Sequence, residues 1–280
     1  MLLFVVLFAP TTHADLARYR DLVVADATER SRPGENGIRV TYLGVNGYQL
    51  EAGEHALLID PYFSRVSFWQ VAAGQRLQPN AERVSAGLTH VRPRVDAVLV
   101  THAHFDHLLD VPALMGRVTS GDRKTIGPWK IAVLAAQHYK VLGSSPPHPG
   151  VVPIRATPPT KPSDWKLGEP LAFVIEANGQ RIYIESGGVP GASLPRVGKI
   201  DLAILGGALP DSRRRFASVV RTLQPRYILP SHQDDFFVPF DRGFSFGKLT
   251  NFPQVLRARE REALPGRLIL LDYFRPWTLR

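Results

Sequence analysis

The feature that most constrains this chain is a group of histidines directly after a short apolar segment. Residues 95–100 have the pattern of a buried strand, and His102, His104, Asp106 and His107 follow at once. After a strand, His102 and His104 share one face, and Asp106 and His107 occupy the ensuing turn. Neutral imidazoles beside a carboxylate are ligands that suit zinc. The alternatives are a solvated histidine-rich loop and an adventitious metal site.

Composition limits which side chains can hold such an ion. The chain of 280 residues has no cysteine, which excludes disulfide frameworks, thiolate zinc sites and cysteine nucleophiles. Its formal net charge is +9, but no recognised nucleic-acid-binding motif accompanies that charge. We therefore expect His, Asp or Glu ligands, a small-molecule substrate (anionic substrates included) and no nucleic-acid partner.

The N-terminal segment has the pattern of an export signal. Residues 2–9 are apolar, and Thr12 and Ala14 place small residues before a cleavage point. The run is too short to span a bilayer, which needs about 20 apolar residues. We expect a signal peptide over 1–14, a mature single domain over 15–280 without a transmembrane segment, and a periplasmic or secreted location. A buried N-terminal strand is the alternative.

Apolar and alternating runs define the elements of the chain. They predict strands at 38–43, 48–51, 56–59, 95–100, 131–135, 171–176, 181–185, 201–205 and 226–229. Helical spacing predicts helices at 108–117, 212–223 and 253–262. The first three strands are expected to form an antiparallel meander at a sheet edge, 62–94 a surface excursion, and the proline-rich 146–162 an extended loop. The fold class is α/β, with two sheets flanked by helices.

Three further polar residues follow predicted strands. His138 comes shortly after the strand at 131–135, and His232 follows an apolar run that ends at Ser231. Asp60 ends the strand at 56–59, where its carboxylate could support metal-ligating histidines through hydrogen bonds. Taken alone, either histidine is more often an ordinary polar loop residue than a metal ligand. Together with the group at 102–107, both become candidate ligands.

These residues give the chain a resemblance to the metallo-β-lactamase superfamily. The resemblance rests on the strand ending in Asp60, the His-x-His-x-Asp-His pattern at 102–107, His138, the strand pair near 171–185 and His232. It covers residues 38–240. It implies a four-layer αββα sandwich of two mixed β-sheets flanked by helices.

The resemblance also implies two zinc ions and assigns their ligands. One ion would be held by His102, His104 and His138, and the other by Asp106, His107 and His232. Many members with two ions carry a bridging Asp after the strand equivalent to 181–185, where this chain has Gly187. We therefore expect a more weakly held second ion, unless Glu185 takes the bridging role.

The expected activity is that of an exported zinc-dependent hydrolase. A metal-bound hydroxide would cleave an ester-type bond in a phosphodiester, phosphate ester, lactone or lactam. Asp106 would act as a ligand and as the catalytic carboxylate that orients the nucleophile. Asp234 and Asp235 are candidates for supporting contacts or proton delivery, with plain surface residues as the alternative. The rival functions are a non-catalytic metal-binding envelope protein on the same fold and a nucleic-acid-processing member.

Overall fold

The computed structural model describes most of the chain between residues 16 and 280. The described ranges are 16–27, 37–114, 126–138, 146–150, 158–187, 194, 197–206, 210–247, 250 and 252–280, with the backbone alone for 210–215. The expected signal peptide over 1–14 lies outside these ranges and stays a prediction. Within them, no helix is both long and apolar enough to cross a membrane.

Among the described residues, the first sheet has five strands. They are β1 (Ile38–Gly44), β2 (Gly47–Ala52), β3 (His55–Ile59), β4 (Ala97–Leu99) and β11 (Trp277–Leu279), in the spatial order β11-β1-β2-β3-β4. β1, β2 and β3 pair antiparallel, which confirms the predicted meander, whereas β3 and β4 pair in parallel. The predicted position at a sheet edge is wrong, because β11 covers β1 and β4 lies beyond β3.

The second sheet has six strands within the described ranges. They are β5 (Lys130–Ala135), β6 (Leu171–Ala177), β7 (Gln180–Glu185), β8 (Leu202–Gly206), β9 (Tyr227–Ser231) and β10 (Arg267–Leu268), in the order β10-β9-β8-β7-β6-β5. β5, β6 and β7 pair antiparallel, and β7 to β10 run parallel. Both sheets are therefore mixed.

Six helices accompany the sheets in the part of the chain that the structure describes. They are α1 (Phe68–Ala72), α2 (Ala81–Leu88), α3 (Phe105–Leu108), α4 (Val111–Leu114), α5 (Pro210–Leu223) and α6 (Phe252–Arg261), with 3₁₀ turns at Leu16–Tyr19, Pro162–Asp164 and Phe240–Arg242. The predicted helix over 108–117 is interrupted in its described part, because α3 ends at Leu108 and α4 begins at Val111. Pro112 has no N–H to donate to Leu108, so the helical hydrogen bonds cannot continue between them.

The segment 62–94 is more regular than a surface excursion. It holds α1 and α2, and a capping side chain fixes the start of each. The Ser67 hydroxyl accepts from the Gln70 amide at 3.2 Å, and the Asn80 side chain accepts from the Arg83 amide at 2.9 Å. Such caps satisfy amides that a helix start leaves unpaired, so short helices form here without long apolar periodicity.

The main core lies between the two sheets. Val40 and Leu50 of the first sheet pack with Ile175 and Ile204 of the second, and all four are fully buried. Side chains of α5 and α6 cover the outer face of the second sheet, and those of α2 and α4 cover the first. This arrangement confirms the predicted four-layer αββα sandwich.

One edge of this sandwich collects the polar residues singled out in the sequence. Asp60 follows β3 and Thr101 lies just past β4, whose parallel pairing brings their carboxyl ends together. His232 follows β9. Asp60 and His232 have positive φ angles of 41° and 58°, a sparsely populated conformation that turns the chain sharply at each strand end.

Candidate metal centre

The histidine group lies on the connection from β4 into α3. His104 is the residue before α3, with φ −64° and ψ 157°, and Asp106 and His107 belong to its single turn. This sharp change from extended to helical backbone brings four polar side chains to one end of the fold. All four are buried, with exposed fractions of 6% or less for His102, His104, Asp106 and His107.

The structure brings six candidate ligands together in two groups of three. Within each group, one nitrogen or oxygen of every side chain lies within 4.8 Å of the others. The first group is His102, His104 and His138, and the second is Asp106, His107 and His232. The groups adjoin, because the rings of His102 and His107 are 3.9 Å apart between centroids.

The first group consists of imidazoles without a carboxylate. Nε2 of His102 lies 3.0 Å from Nδ1 of His104, and the other nitrogen of His104, Nε2, lies 2.9 Å from the Pro147 carbonyl oxygen. Burial lowers the pKa of His104 to about 4 and that of His102 well below its ordinary value. Both rings are therefore neutral at neutral pH and have a lone pair to give to an ion.

The second group combines one carboxylate with two imidazoles. Oδ2 of Asp106 lies 3.2 Å from Nε2 of His232 and 3.5 Å from Nε2 of His107. Burial alone would raise the pKa of Asp106, but His107 and His232 hold it well below its usual range. Burial likewise opposes a charged His107, but Asp106 and Asp60 outweigh that effect and raise its pKa to about 10. The carboxylates of Asp106 and Asp60 therefore stabilise a positive charge at His107.

The hydrogen bonding of His107 tests whether a metal ion fits. Its Nδ1 lies 2.8 Å from Oδ2 of Asp60, so Nδ1 donates a proton to that carboxylate and Nε2 is the nitrogen that can bind an ion. Its Nε2 is buried and has no hydrogen-bond partner among the described residues. A metal ion supplies both the missing partner and the positive charge, so these residues fit one.

Asp60 orients His107, a candidate ligand of the second group, through a hydrogen bond. Its carboxylate accepts hydrogen bonds from the Thr101 amide at 2.7 Å, the Thr101 hydroxyl at 2.5 Å and the Asn46 side chain at 2.8 Å, besides that of His107. It is fully buried. Four donors leave it no freedom to rotate, so the His107 ring is held in one orientation.

We expect Asp60→Asn to weaken metal binding about 10–100-fold. The new amide N–H₂ would meet donors, and His107 could accept from it only by moving its proton to Nε2, which a metal ion needs free. Competition with a chelating dye measures the affinity. Asp96→Asn is the matched control, because Asp96 pairs with His55 (Nδ1 to Oδ2 3.1 Å) away from the centre. Unchanged affinity in a folded Asp60→Asn protein would contradict the assigned role.

Glu185 and Gly187, the two positions considered for a bridging carboxylate, differ in what they contact. Glu185 is buried, accepts from the Gly206 amide at 3.2 Å and belongs to neither ligand group. A Cβ on Gly187 would lie 3.0 Å from Cα and 3.3 Å from Cδ2 of His138. The position aligned with the bridging Asp therefore does lie against the centre, but His138 leaves little room for a side chain there.

Asp234 and Asp235 lie inside the protein and not on its surface, with exposed fractions of 1% and 7%. The Asp234 carboxylate pairs with Arg65 and accepts from the hydroxyls of Tyr42 and Tyr273. Asp235 accepts from the Phe237 amide at 3.2 Å. Neither belongs to a ligand group among the described residues, and proton delivery by either one stays a prediction.

Some residues around the centre were not predicted. Thr101 and the Pro147 carbonyl hold a carboxylate and a histidine in place, and Arg65 pairs with Asp234. Their partners are remote in sequence, from 41 residues for Thr101 to 169 for Arg65, the latter by subtracting the residue numbers of the pair. Spacing along the chain carries no signal for such contacts.

The chain is similar to proteins that are named as metal-dependent hydrolases and to a solved structure of the same fold. A metal-dependent hydrolase of the UPF0173 group from Pyrococcus furiosus is 25% identical over 209 residues, which cover 70% of this chain and 84% of the relative. A second from Aeropyrum pernix is 25% identical over 260 residues, covering 84% and 98%. The structure of Igni18, a metallo hydrolase from Ignicoccus hospitalis, matches with a TM-score of 0.56 at 15% identity and covers 88% of this chain and 99% of its own.

Two mixed sheets between helices, with paired ligand groups at one edge, define the metallo-β-lactamase fold. Residues 39–232 match the beta-lactamase superfamily domain, so the chain belongs to that superfamily. The relatives and the ligand groups together support a metal-dependent hydrolase.

Proposed function

We propose that the protein is a zinc-dependent hydrolase that cleaves an ester-type bond in a phosphodiester, phosphate ester, lactone or lactam. The observation that carries the proposal is the arrangement of six buried side chains in two adjoining groups of three, each able to hold an ion. The names of the relatives support hydrolysis. The basic balance of +9 supports an anionic small-molecule substrate, and the apolar run at 2–9 supports export.

Each of the two ligand groups would hold one metal ion in such a centre. His102, His104 and His138 would hold one ion, and Asp106, His107 and His232 the other. Bound zinc would lower the pKa of water towards about 7 and polarise the scissile bond.

Asp106 has a second task at this centre. Its carboxylate stays ionised because of His107 and His232, so it can accept a hydrogen bond from the attacking water and orient it. His102 and His104 stay neutral, so they bind without adding charge.

Turnover by the reconstituted full chain tests the proposal. Metal-free protein is loaded with zinc, and hydrolysis of bis(4-nitrophenyl) phosphate, a γ-lactone and a chromogenic cephalosporin is followed. We expect hydrolysis of at least one, abolished by chelation and restored by zinc. Asp106→Asn should lower the rate about 100-fold or more. Asp21→Asn, at a side chain that is 95% exposed, is the matched control.

The outcomes separate the rival functions. Two bound ions without turnover of any ester, lactone or lactam would favour a metal-binding scaffold. Turnover of nucleic acid alone would favour a processing enzyme. Loading with iron or manganese in parallel shows whether zinc is the active ion, because imidazole and carboxylate ligands also suit those metals.

A further inference from the structure

Four aromatic side chains connect the metal centre with the protein surface. Phe236 packs edge-on to the ring of His232 at 5.3 Å between centroids, and Phe237 lies 4.2 Å from Phe236. Phe68 lies 5.5 Å from Phe237, and Trp69 lies 5.4 Å from Phe68. We call Phe236, Phe237, Phe68 and Trp69 the aromatic row. The row begins at Phe236, which contacts the candidate ligand His232, and it ends at Trp69 on α1.

The outer end of the row is exposed to solvent. Trp69 is 77% exposed and Phe68 is 49% exposed, and the remaining exposed large apolar side chain among the described residues is Val133, on β5. Exposed aromatic rings beside each other contribute little to folding, because burial is what makes apolar surface stabilising. Adjacent exposed rings on one helix therefore indicate a binding surface.

α1 holds these rings in fixed positions. Ser67 and Gln70 form a capping box at its start, with hydrogen bonds of 3.2 Å and 2.9 Å between side chain and backbone. Val66 and Leu77, on either side of the helix, are buried with exposed fractions of 5% and 2%. The helix is short but anchored at both ends, so the row is a preformed surface.

We propose that the aromatic row binds an apolar group of the substrate, an alkyl or aryl substituent attached to the bond that is hydrolysed. This inference rests on the proposed function, because the metal centre must hold the polar end of that substrate. The contact between Phe236 and His232 makes the row continuous with the centre. A substituent of the substrate that extends from the reacting bond toward Phe236 therefore contacts aromatic rings.

The size of the row favours a substrate group over a protein partner. Each aromatic side chain buries about 150–250 Å², so the two partly exposed rings offer at most about 300–500 Å². A stable protein interface buries about 1,200–2,000 Å² in total, or about 600–1,000 Å² on each partner. The row is therefore too small for a dimer contact and suited to one chain or ring of a small molecule.

Binding of n-alkylphosphonates tests the inference without turnover. A phosphonate binds the ion but has no bond to hydrolyse, and its chain is lengthened from methyl to octyl. Calorimetry on zinc-loaded full chain measures each affinity. We expect a rise of about fourfold for each methylene that the row covers. The double variant Phe68→Ser with Trp69→Ser should flatten the dependence for the longer chains and leave methylphosphonate binding unchanged.

Val133→Ser is the matched control, because Val133 is 45% exposed but is not part of the row. It should keep the full dependence on chain length. An affinity independent of chain length in the wild-type protein, or a double variant that keeps the full dependence, would overturn the inference. Sedimentation of the protein with phosphatidylcholine vesicles together with a flat phosphonate series would instead assign Trp69 to a membrane surface.

The same measurements separate this inference from the proposed function. Chain-length dependence without turnover of any substrate would leave the aromatic row in place and contradict hydrolysis. Turnover with a flat series would do the reverse. Equal affinity for octylphosphonate with and without zinc would show that the row binds alkyl chains but that the ion does not hold the phosphonate.

Discussion

His104→Ala is expected to leave the protein folded and to remove at least one of two bound ions. Nδ1 of His104 lies 3.0 Å from Nε2 of His102, and the first group has no carboxylate that could compensate for a lost imidazole. With two imidazoles left, the ion would keep two protein ligands, fewer than the three that zinc sites of this kind use. Elemental analysis after dialysis against zinc and gel filtration gives the ratio of zinc to protein.

The ratio should fall from close to two in the wild-type protein to one or less in His104→Ala. His55→Ala is the matched control, because the His55 side chain is 46% exposed and pairs with Asp96 away from the centre. It should retain both ions. If wild-type protein stays metal-free in excess zinc, the assignment of all six ligands is wrong.

The strands were predictable because their side-chain patterns are local. The run 131–135 became β5 (Lys130–Ala135), and 201–205 became β8 (Leu202–Gly206), whose residues are all buried. β10 and β11 were not predicted, since two or three residues are too few to show a period. Pairing between strands that are remote in the chain also lay beyond the sequence, so the position of the meander within its sheet was wrong.

The candidate ligands were predictable because they follow strands. His138 and His232 lie far from His102 in sequence, and the resemblance to a known superfamily united them in two groups. The hydrogen bonds and ion pairs that hold the candidate ligands in place were only partly predictable. Asp60 follows a strand and was singled out, whereas Arg65 follows no pattern and its role depends on a partner at residue 234.

Arg65 is fully buried between Asp234, on the loop after His232, and the aromatic rings of Phe240 and Tyr273. Its Nη1 lies 2.8 Å from Oδ2 of Asp234, and both side chains are 0% exposed. Its guanidinium carbon lies 4.1 Å from the centre of the Phe240 ring. A Cβ on Gly44 would meet Nη2 of Arg65 at 1.7 Å, so glycine there makes room for the guanidinium.

Asp234 connects Arg65 with the loop that carries His232. Its Oδ1 accepts from the Val45 amide at 2.9 Å, while the His232 amide donates to the Val45 carbonyl at 2.8 Å. Burial would raise the pKa of Asp234, but Arg65 and the hydroxyl donors lower it below its usual value. The carboxylate is therefore ionised in the interior and depends on Arg65 for its charge partner.

Arg65→Met is therefore expected to lower the free energy of unfolding by about 3–5 kcal/mol, because it leaves the Asp234 carboxylate buried without its cation. Urea unfolding followed by circular dichroism measures the change. Arg94→Met, at an exposed arginine, is the matched control and should change stability by no more than about 0.5 kcal/mol.

Adding Asp234→Asn to Arg65→Met removes the unpaired charge. The double variant should recover part of the lost stability, so the two substitutions should not be additive. A loss below about 1 kcal/mol in Arg65→Met, or strict additivity in the double variant, would show that the pair does not stabilise this loop.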